Sequence, residues 1–234
     1  MPLSIVLEEE ISAFANWLDT ACRSFDLAVF KFFASLHTNW LTPIVNVFTQ
    51  LGDTTFVVIL MIVGLVLCFS KKTRKYGMTL FFAIFIGTLI TNVVLKPLIF
   101  RPRPYVSLAD NADFMQWYTE AGSNVESDRS FPSGHTTAAF EIATALFLVV
   151  KNKKIKWIFP VYAVLIGCSR LYLMVHYCTD VLAGMICGII AGVLAYFITR
   201  AIINWLQTSD KKAVQRINNI DLFFKNKNTE DAAS

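Results

Sequence analysis

Eight residues between Lys96 and Asp180 have types and spacing suited to holding and cutting a phosphate ester. They fall in three clusters: Lys96 with Arg103-Pro104, then Pro132-Ser133-Gly134-His135, then Ser169-Arg170 with His176 and Asp180. Lys96, Arg103 and Arg170 are cations. A phosphomonoester dianion gathers charge on its equatorial oxygens during transfer, and fixed cations in a water-poor site stabilise that charge. Arginine offers forked donors matched to phosphate oxygens, whereas lysine offers a mobile point charge. Cations at the ends of membrane spans also snorkel to the interface. That plainer reading suits Lys71 and Lys151, but Lys96, Arg103 and Arg170 sit at motif positions. Arg101 lies beside the cluster and outside its pattern, so two readings stay open for it: a secondary contact or an ordinary interface residue.

Ser133-Gly134-His135 opens an apolar run. Serine is a favoured N-cap, and Pro132 discourages any earlier helix. A helix N-terminus presents N–H groups and positive dipole to an anion, and Gly134 lets backbone approach an oxygen closely. The Ser133 hydroxyl and the Gly134 N–H are therefore expected to bind phosphate. His176 and Asp180 are four residues apart, which on a helix places them on one face. The carboxylate can then accept from one ring nitrogen and leave the other unprotonated as a nucleophile. With three histidines in the chain, no HExxH and no carboxylate cluster at the motifs, no metal ligand set is expected.

These residues need a scaffold, and the composition says which kind. The chain is 55% hydrophobic and only 16% charged, too apolar for an ordinary soluble domain. Basic knots at Lys71–Lys75, Lys151–Lys156 and Lys211–Arg216 each close an apolar run, as cytoplasmic membrane loops do. They are separated by spans of bilayer length, which excludes a nucleic-acid surface. The runs Thr54–Ser70, Tyr76–Phe100, Ser133–Val150, Ile155–Val175 and His176–Leu206 read as spans. Every motif falls at the end opposite the basic knots, facing the extracytoplasmic side of the cell membrane. Phe25–Leu36 and Leu41–Leu51 are each too short to cross ~30 Å of hydrocarbon. They are expected to be interfacial amphipathic helices on the outer side, with a bent first span as the rival reading. The fold class is thus all-α, a polytopic bundle of five or six spans with N-terminal amphipathic helices. It forms one domain, with interfacial helices over 1–51, a catalytic bundle over 52–208 and a polar, frayed cytoplasmic tail over 209–234. Glu8, Glu9 and Glu10 stand where the apolar core of a cleavable signal would lie, so none is expected. The five cysteines form no CxxC pair and are given no role. Gly184, Gly188 and Gly192 recur every four residues, a spacing for close helix packing. Asp110 to Asp128 reads as a solvated, mobile lid whose Phe114, Trp117 and Tyr118 can meet headgroups. Glu141, six residues after His135, is expected on a different face, paired inside the bundle or facing a water-filled cavity.

The linear pattern K-x6-RP, PSGH and SR-x5-H-x3-D resembles the signature of the type-2 phosphatidic acid phosphatase superfamily, and no core position departs from it. The resemblance covers the C-terminal two-thirds of the chain. It implies that His176 attacks phosphorus to form a phosphohistidine, and that His135 protonates the departing alkoxide and then activates water. Asp180 would orient His176. Lys96, Arg103, Ser133, Gly134 and Arg170 would bind the phosphate, without metal or other cofactor. The implied partner is a membrane lipid carrying a phosphomonoester or pyrophosphate: phosphatidylglycerophosphate, phosphatidate or undecaprenyl pyrophosphate. Nothing in the sequence sets an oligomeric state. A lipid phosphotransferase of the same superfamily is one alternative. A non-catalytic lipid-binding protein is disfavoured by the intact His135, His176 and Asp180, and a vanadate haloperoxidase by the apolar composition.

Overall fold

A computed structural model describes residues 11–221. Glu8, Glu9 and Glu10 lie outside these residues, as does the tail from 222 onward. The described chain is all-α. At its start, α1 (Ala13–Ala21) is capped by Ser12, whose hydroxyl accepts from the Ala15 N–H at 3.2 Å. Next, α2 (Arg23–Ala34) buries Asp26 and Phe30 while Phe25 and Phe32 face outward. Then α3 (Leu41–Thr49) passes through a 3-10 turn at Gln50–Gly52 into α4 (Thr54–Leu67), where the Asp53 carboxylate caps the Thr54 N–H at 2.7 Å.

This junction changes the expected N-terminus. Leu41–Leu67 is one bent, apolar run of 27 residues, long enough to cross a membrane. The helix expected over Leu41–Leu51 is present as α3, and the turn joins it to α4 in one apolar run. Gly52 lets the turn pack on Ile166 and His135, so the chain bends without leaving the bundle.

The bundle continues with α5 (Arg74–Thr88), which runs through a π-helical stretch at Leu89–Leu95 into the short α6 (Lys96–Leu98). Two helices lie over the site end, α7 (Pro104–Ser107) and α8 (Ala112–Glu120). The remaining spans are α9 (Gly134–Val149), α10 (Ile158–Tyr172) and the 31-residue α11 (Cys178–Thr208). The apolar segments Leu41–Leu67, Arg74–Leu98, Ile155–Tyr172 and Cys178–Thr208 are long enough to cross a bilayer, which makes this a multi-span helical membrane protein. Helix α9, at 16 residues, or about 24 Å at 1.5 Å per residue, is shorter than any of these four segments. It can be short because it is central: α5, α10 and α11 pack around it. Gly184, Gly188 and Gly192 of α11 lie against α9, and a Cβ at Gly188 would come within 2.5 Å of the Thr137 carbonyl oxygen. The four-residue glycine spacing is thus a packing stripe.

The tail is more ordered than its polarity suggests. Lys212–Asn218 forms α12. Arg74, read from sequence as part of a loose basic knot, is buried and donates to the carbonyls of Cys68, Ile217, Asn218 and Ile220 at 3.0–3.2 Å. An arginine with five donors can close several orphan carbonyls at once, which pins α12 to the α4–α5 loop.

Candidate active site

The three motif segments meet at one end of the bundle and are joined by backbone. Ser130 N–H donates to the Arg101 carbonyl at 2.9 Å, and Ser133 N–H donates to the Asp180 carbonyl at 3.1 Å. Helix α9 starts at Gly134 with Ser133 as N-cap, as expected. The Ser133 hydroxyl does not cap a backbone N–H; it accepts from Thr136 Oγ1 at 2.9 Å and keeps its own proton to donate. Gly134 faces Lys96, since a Cβ there would lie 3.5 Å from Lys96 Nζ.

His176 lies in the tight connection between α10 and α11 and is buried. Its Nε2 sits 2.8 Å from an Arg103 guanidinium nitrogen, which also donates to the Val175 carbonyl at 2.9 Å. Burial, with Arg103, Arg170 and Lys96 nearby, holds the imidazole well below the usual histidine range, so the ring is neutral. Its Nδ1 faces Asp180 Oδ2 at 3.5 Å, an ion-pair distance without a hydrogen bond. Instead, Asp180 caps α11 by accepting from the Tyr177 N–H at 3.0 Å and takes the Ser130 hydroxyl at 2.5 Å.

Its other oxygen accepts from Arg101 at 2.6 Å. Arg101 is fully buried and also reaches Asp19 at 2.7 Å, Asp26 at 3.3 Å and Thr179 Oγ1 at 2.7 Å, with the Tyr177 ring 3.7 Å away. Burial works against its charge, but Asp180 and Asp19 more than offset that and raise its pKa. Both sequence readings of Arg101 give way to a third. It ties the first motif to the carboxylate of the last, and to α1 and α2. Asp19, Asp26 and Ser130 were missed as well. An arginine repeated two residues before Arg103, with unpaired acids upstream, was the available signal.

The segment from Asp110 to Asp128 also departs from expectation. Asn111 caps α8 by accepting from the Phe114 N–H at 3.0 Å. Phe114 and Tyr118 are buried in a cluster with Phe30, Leu173 and Val175 rather than turned to headgroups. The amphipathic α8 has a core to pack on, so this lid is folded and not a solvated loop. Its last acids reach the site's cations. Asp128 pairs with both Lys96 and Arg103. Glu126 pairs with Arg170, whose other nitrogen donates to Thr49 Oγ1 at 3.0 Å.

These groups open on a cavity of about 700 Å³. Lys96, Arg103, Gly134, His135 and His176 line one end, with Glu126 and Asp128 at its rim. Of the phosphate-binding set, Ser133 and Arg170 are buried behind that wall. Glu141 lines the same cavity as His135, although the six-residue offset puts them on different helix faces. With Thr137 and Ala138 between them, the two line one broad side of α9.

Residues 76–203 match the profile of the PAP2 superfamily. The chain is 34% identical over 180 residues to phosphatidylglycerophosphatase B of Bacillus subtilis, covering 73% of this chain and 81% of that one. It is 32% identical over 111 residues to the undecaprenyl-diphosphatase BcrC of the same organism, covering 47% and 52%. Its fold resembles the crystal structure of the transmembrane phosphatidylglycerolphosphate phosphatase from Bacillus subtilis, with TM-score 0.61 and 28% identity over 85% of this chain and 96% of that one. It also resembles Aquifex aeolicus LpxE, with TM-score 0.55 and 28% identity over 72% and 93%.

Proposed function

We propose, from the premise that this chain belongs to the PAP2 superfamily, that it hydrolyses a phosphomonoester or pyrophosphate on a membrane lipid through a phosphohistidine. The observation that carries this is the placement of His176 Nε2, 2.8 Å from Arg103, on a cavity shared with Lys96 and His135.

The lone pair of Nε2 attacks phosphorus and forms the P–N bond while the P–O bond to the lipid breaks. Lys96 and Arg103, which line the cavity, take the charge on the equatorial oxygens with the Gly134 N–H, and Arg170 and the Ser133 hydroxyl add to that field from behind its wall. His135 gives its proton to the departing alkoxide. Water then attacks phosphorus, His135 takes its proton, and the P–N bond breaks to release phosphate. Asp180 faces the imidazole from the Nδ1 side at 3.5 Å and would orient it as the ring gains positive charge. The cations supply the charge a metal would, so turnover should survive exhaustive EDTA treatment; activity lost to EDTA and restored by Mg²⁺ or Zn²⁺ would refute this. Five or six spans carry one membrane-embedded domain, with the site on the extracytoplasmic side.

The two histidines should fail differently. With His176→Ala, no covalent phosphoenzyme forms on any substrate. With His135→Ala, release from a lipid phosphate falls by about 10²–10⁴-fold, the usual worth of general acid catalysis. A nitrophenolate leaves without a proton, so an aryl phosphate should give a burst and then slow turnover as the phosphoenzyme accumulates. If His176→Ala traps phosphate and His135→Ala never does, the roles are reversed.

A further inference from the structure

Glu141 is an acid inside the bundle that the mechanism above does not use. It is 1% exposed, and its Oε2 has no hydrogen-bond partner. Buried polar atoms are rarely left unpaired, because an unmade bond costs the full desolvation of the group. An intramembrane acid is a functional candidate for the same reason. The carboxyl is given room: any Cβ on Gly87 would collide with Oε2. Thr88, Thr91, Asn92 and Thr137 line the same cavity beside Ile84, Phe85 and Ala138, so the acid has polar company at a depth where lipid tails would favour an apolar wall. Nothing in that wall carries a positive charge.

Resting on the lipid phosphatase reading, we propose that Glu141 determines leaving-group specificity: its carboxyl accepts a hydrogen bond from a free hydroxyl on the alcohol being released. The distances fit. Six residues separate Glu141 from His135 along α9, a rise of about 9 Å. From phosphorus, the four bonds P–O–C–C–O to a hydroxyl on the neighbouring carbon, ~1.5 Å each, span about 5 Å. A hydrogen bond adds about 2.8 Å. The Glu141 side chain leans toward the helix N-terminus and closes the remaining gap. A glycerol headgroup, as in phosphatidylglycerophosphate, carries such a hydroxyl. The diacylglycerol leaving group of phosphatidate offers only ester oxygens there. A polyprenyl phosphate leaving group brings a second anion with no donor.

The test compares phosphate release from phosphatidylglycerophosphate with release from its analogue lacking the headgroup hydroxyl. Turnover of a small aryl phosphate by the same preparations normalises for active protein. The wild type should prefer the hydroxylated lipid in kcat/KM by about 10–100-fold, the effect of one hydrogen bond to a buried polar group. Glu141→Leu should bring the ratio near one, and Glu141→Gln, which keeps an acceptor, should retain part of it. If Glu141→Leu does not purify as a folded protein, Gly87→Ala must produce the same loss, since its methyl displaces the carboxyl. An active wild type indifferent to the hydroxyl, or an unchanged preference in Glu141→Leu or Gly87→Ala, overturns the assignment of Glu141 alone. A wild type that releases no phosphate from any of the three substrates overturns the phosphatase reading itself.

Discussion

Arg101 shows how much a single buried charge can organise. It faces Asp19, Asp26 and Asp180 at once. Removing one member of a buried ion network leaves its partners desolvated and unpaired, which costs about 3–5 kcal/mol. Arg101→Met should therefore lower the melting temperature in detergent. Arg101→Lys should recover part of it, because a point charge can satisfy fewer carboxylates than the fork. If Arg101 also positions Asp180, Arg101→Lys should lower kcat while KM stays near the wild-type value; equal stability of wild type and Arg101→Met would refute the network. His176 predicts a pH effect. Its folded pKa is depressed from 6.5 by burial and then by Arg103, Arg170 and Lys96. The unfolded chain therefore binds a proton that the folded chain refuses, and stability is lost as pH falls below about 6.5. Between pH 7 and 5 the wild type should lose more melting temperature than His176→Gln; identical slopes would refute this.

At the scale of elements, the lid from α7 to residue 130 places carboxylates on the cations assigned to phosphate. Burial raises the Asp128 pKa, but Arg103 and Lys96 outweigh it and bring the carboxyl down to about 2. A depressed carboxyl contributes above its unfolded value and loses that contribution only as pH falls toward the folded one. Asp128 is thus ionised throughout the working range, and in the proposed reaction an arriving phosphate takes its place. Asp128→Asn should strengthen inhibition by orthovanadate, a phosphate analogue, by about tenfold, on the scale of a charge-assisted hydrogen bond. The difference from wild type should be constant from pH 5 to 8. Weaker inhibition in Asp128→Asn would mean that the carboxylate assists binding rather than competing with it.

Across the whole molecule, the site lies at one end of the bundle and the basic loops with α12 at the other. Basic loops tend to stay cytoplasmic, and on that ground the proposed orientation has α8 outside. In a background without the five native cysteines, Asp113→Cys should react with a membrane-impermeant thiol reagent on intact cells and Lys153→Cys should not. Both positions are exposed, so access depends on the side of the membrane and not on burial. The reverse labelling would invert the orientation.

The apolar runs, the helix start at Gly134 and the spacing of Lys96, Arg103, His135, Arg170, His176 and Asp180 were legible in the sequence by itself. Each is a local pattern: periodicity, a cap residue, a motif offset. The tertiary structure alone decided the rest. Arg101 meets Asp26 across 75 residues and Asp180 across 79, and no local pattern records a pairing between separate helices. Asp128 pairs with Lys96, 32 residues away; in sequence it is one more acid in a polar loop. Leu41–Leu51 and the run from Thr54 look like two elements because Asp53 is a good cap, yet the bundle holds them as one bent run through Gly52 against Ile166 and His135. Glu141 lies off the His135 face by helix geometry, and only the packing of α9 against α5 reveals that one cavity reaches both. Local sequence sets what each segment prefers, whereas burial and charge pairing between segments are properties of the assembled bundle.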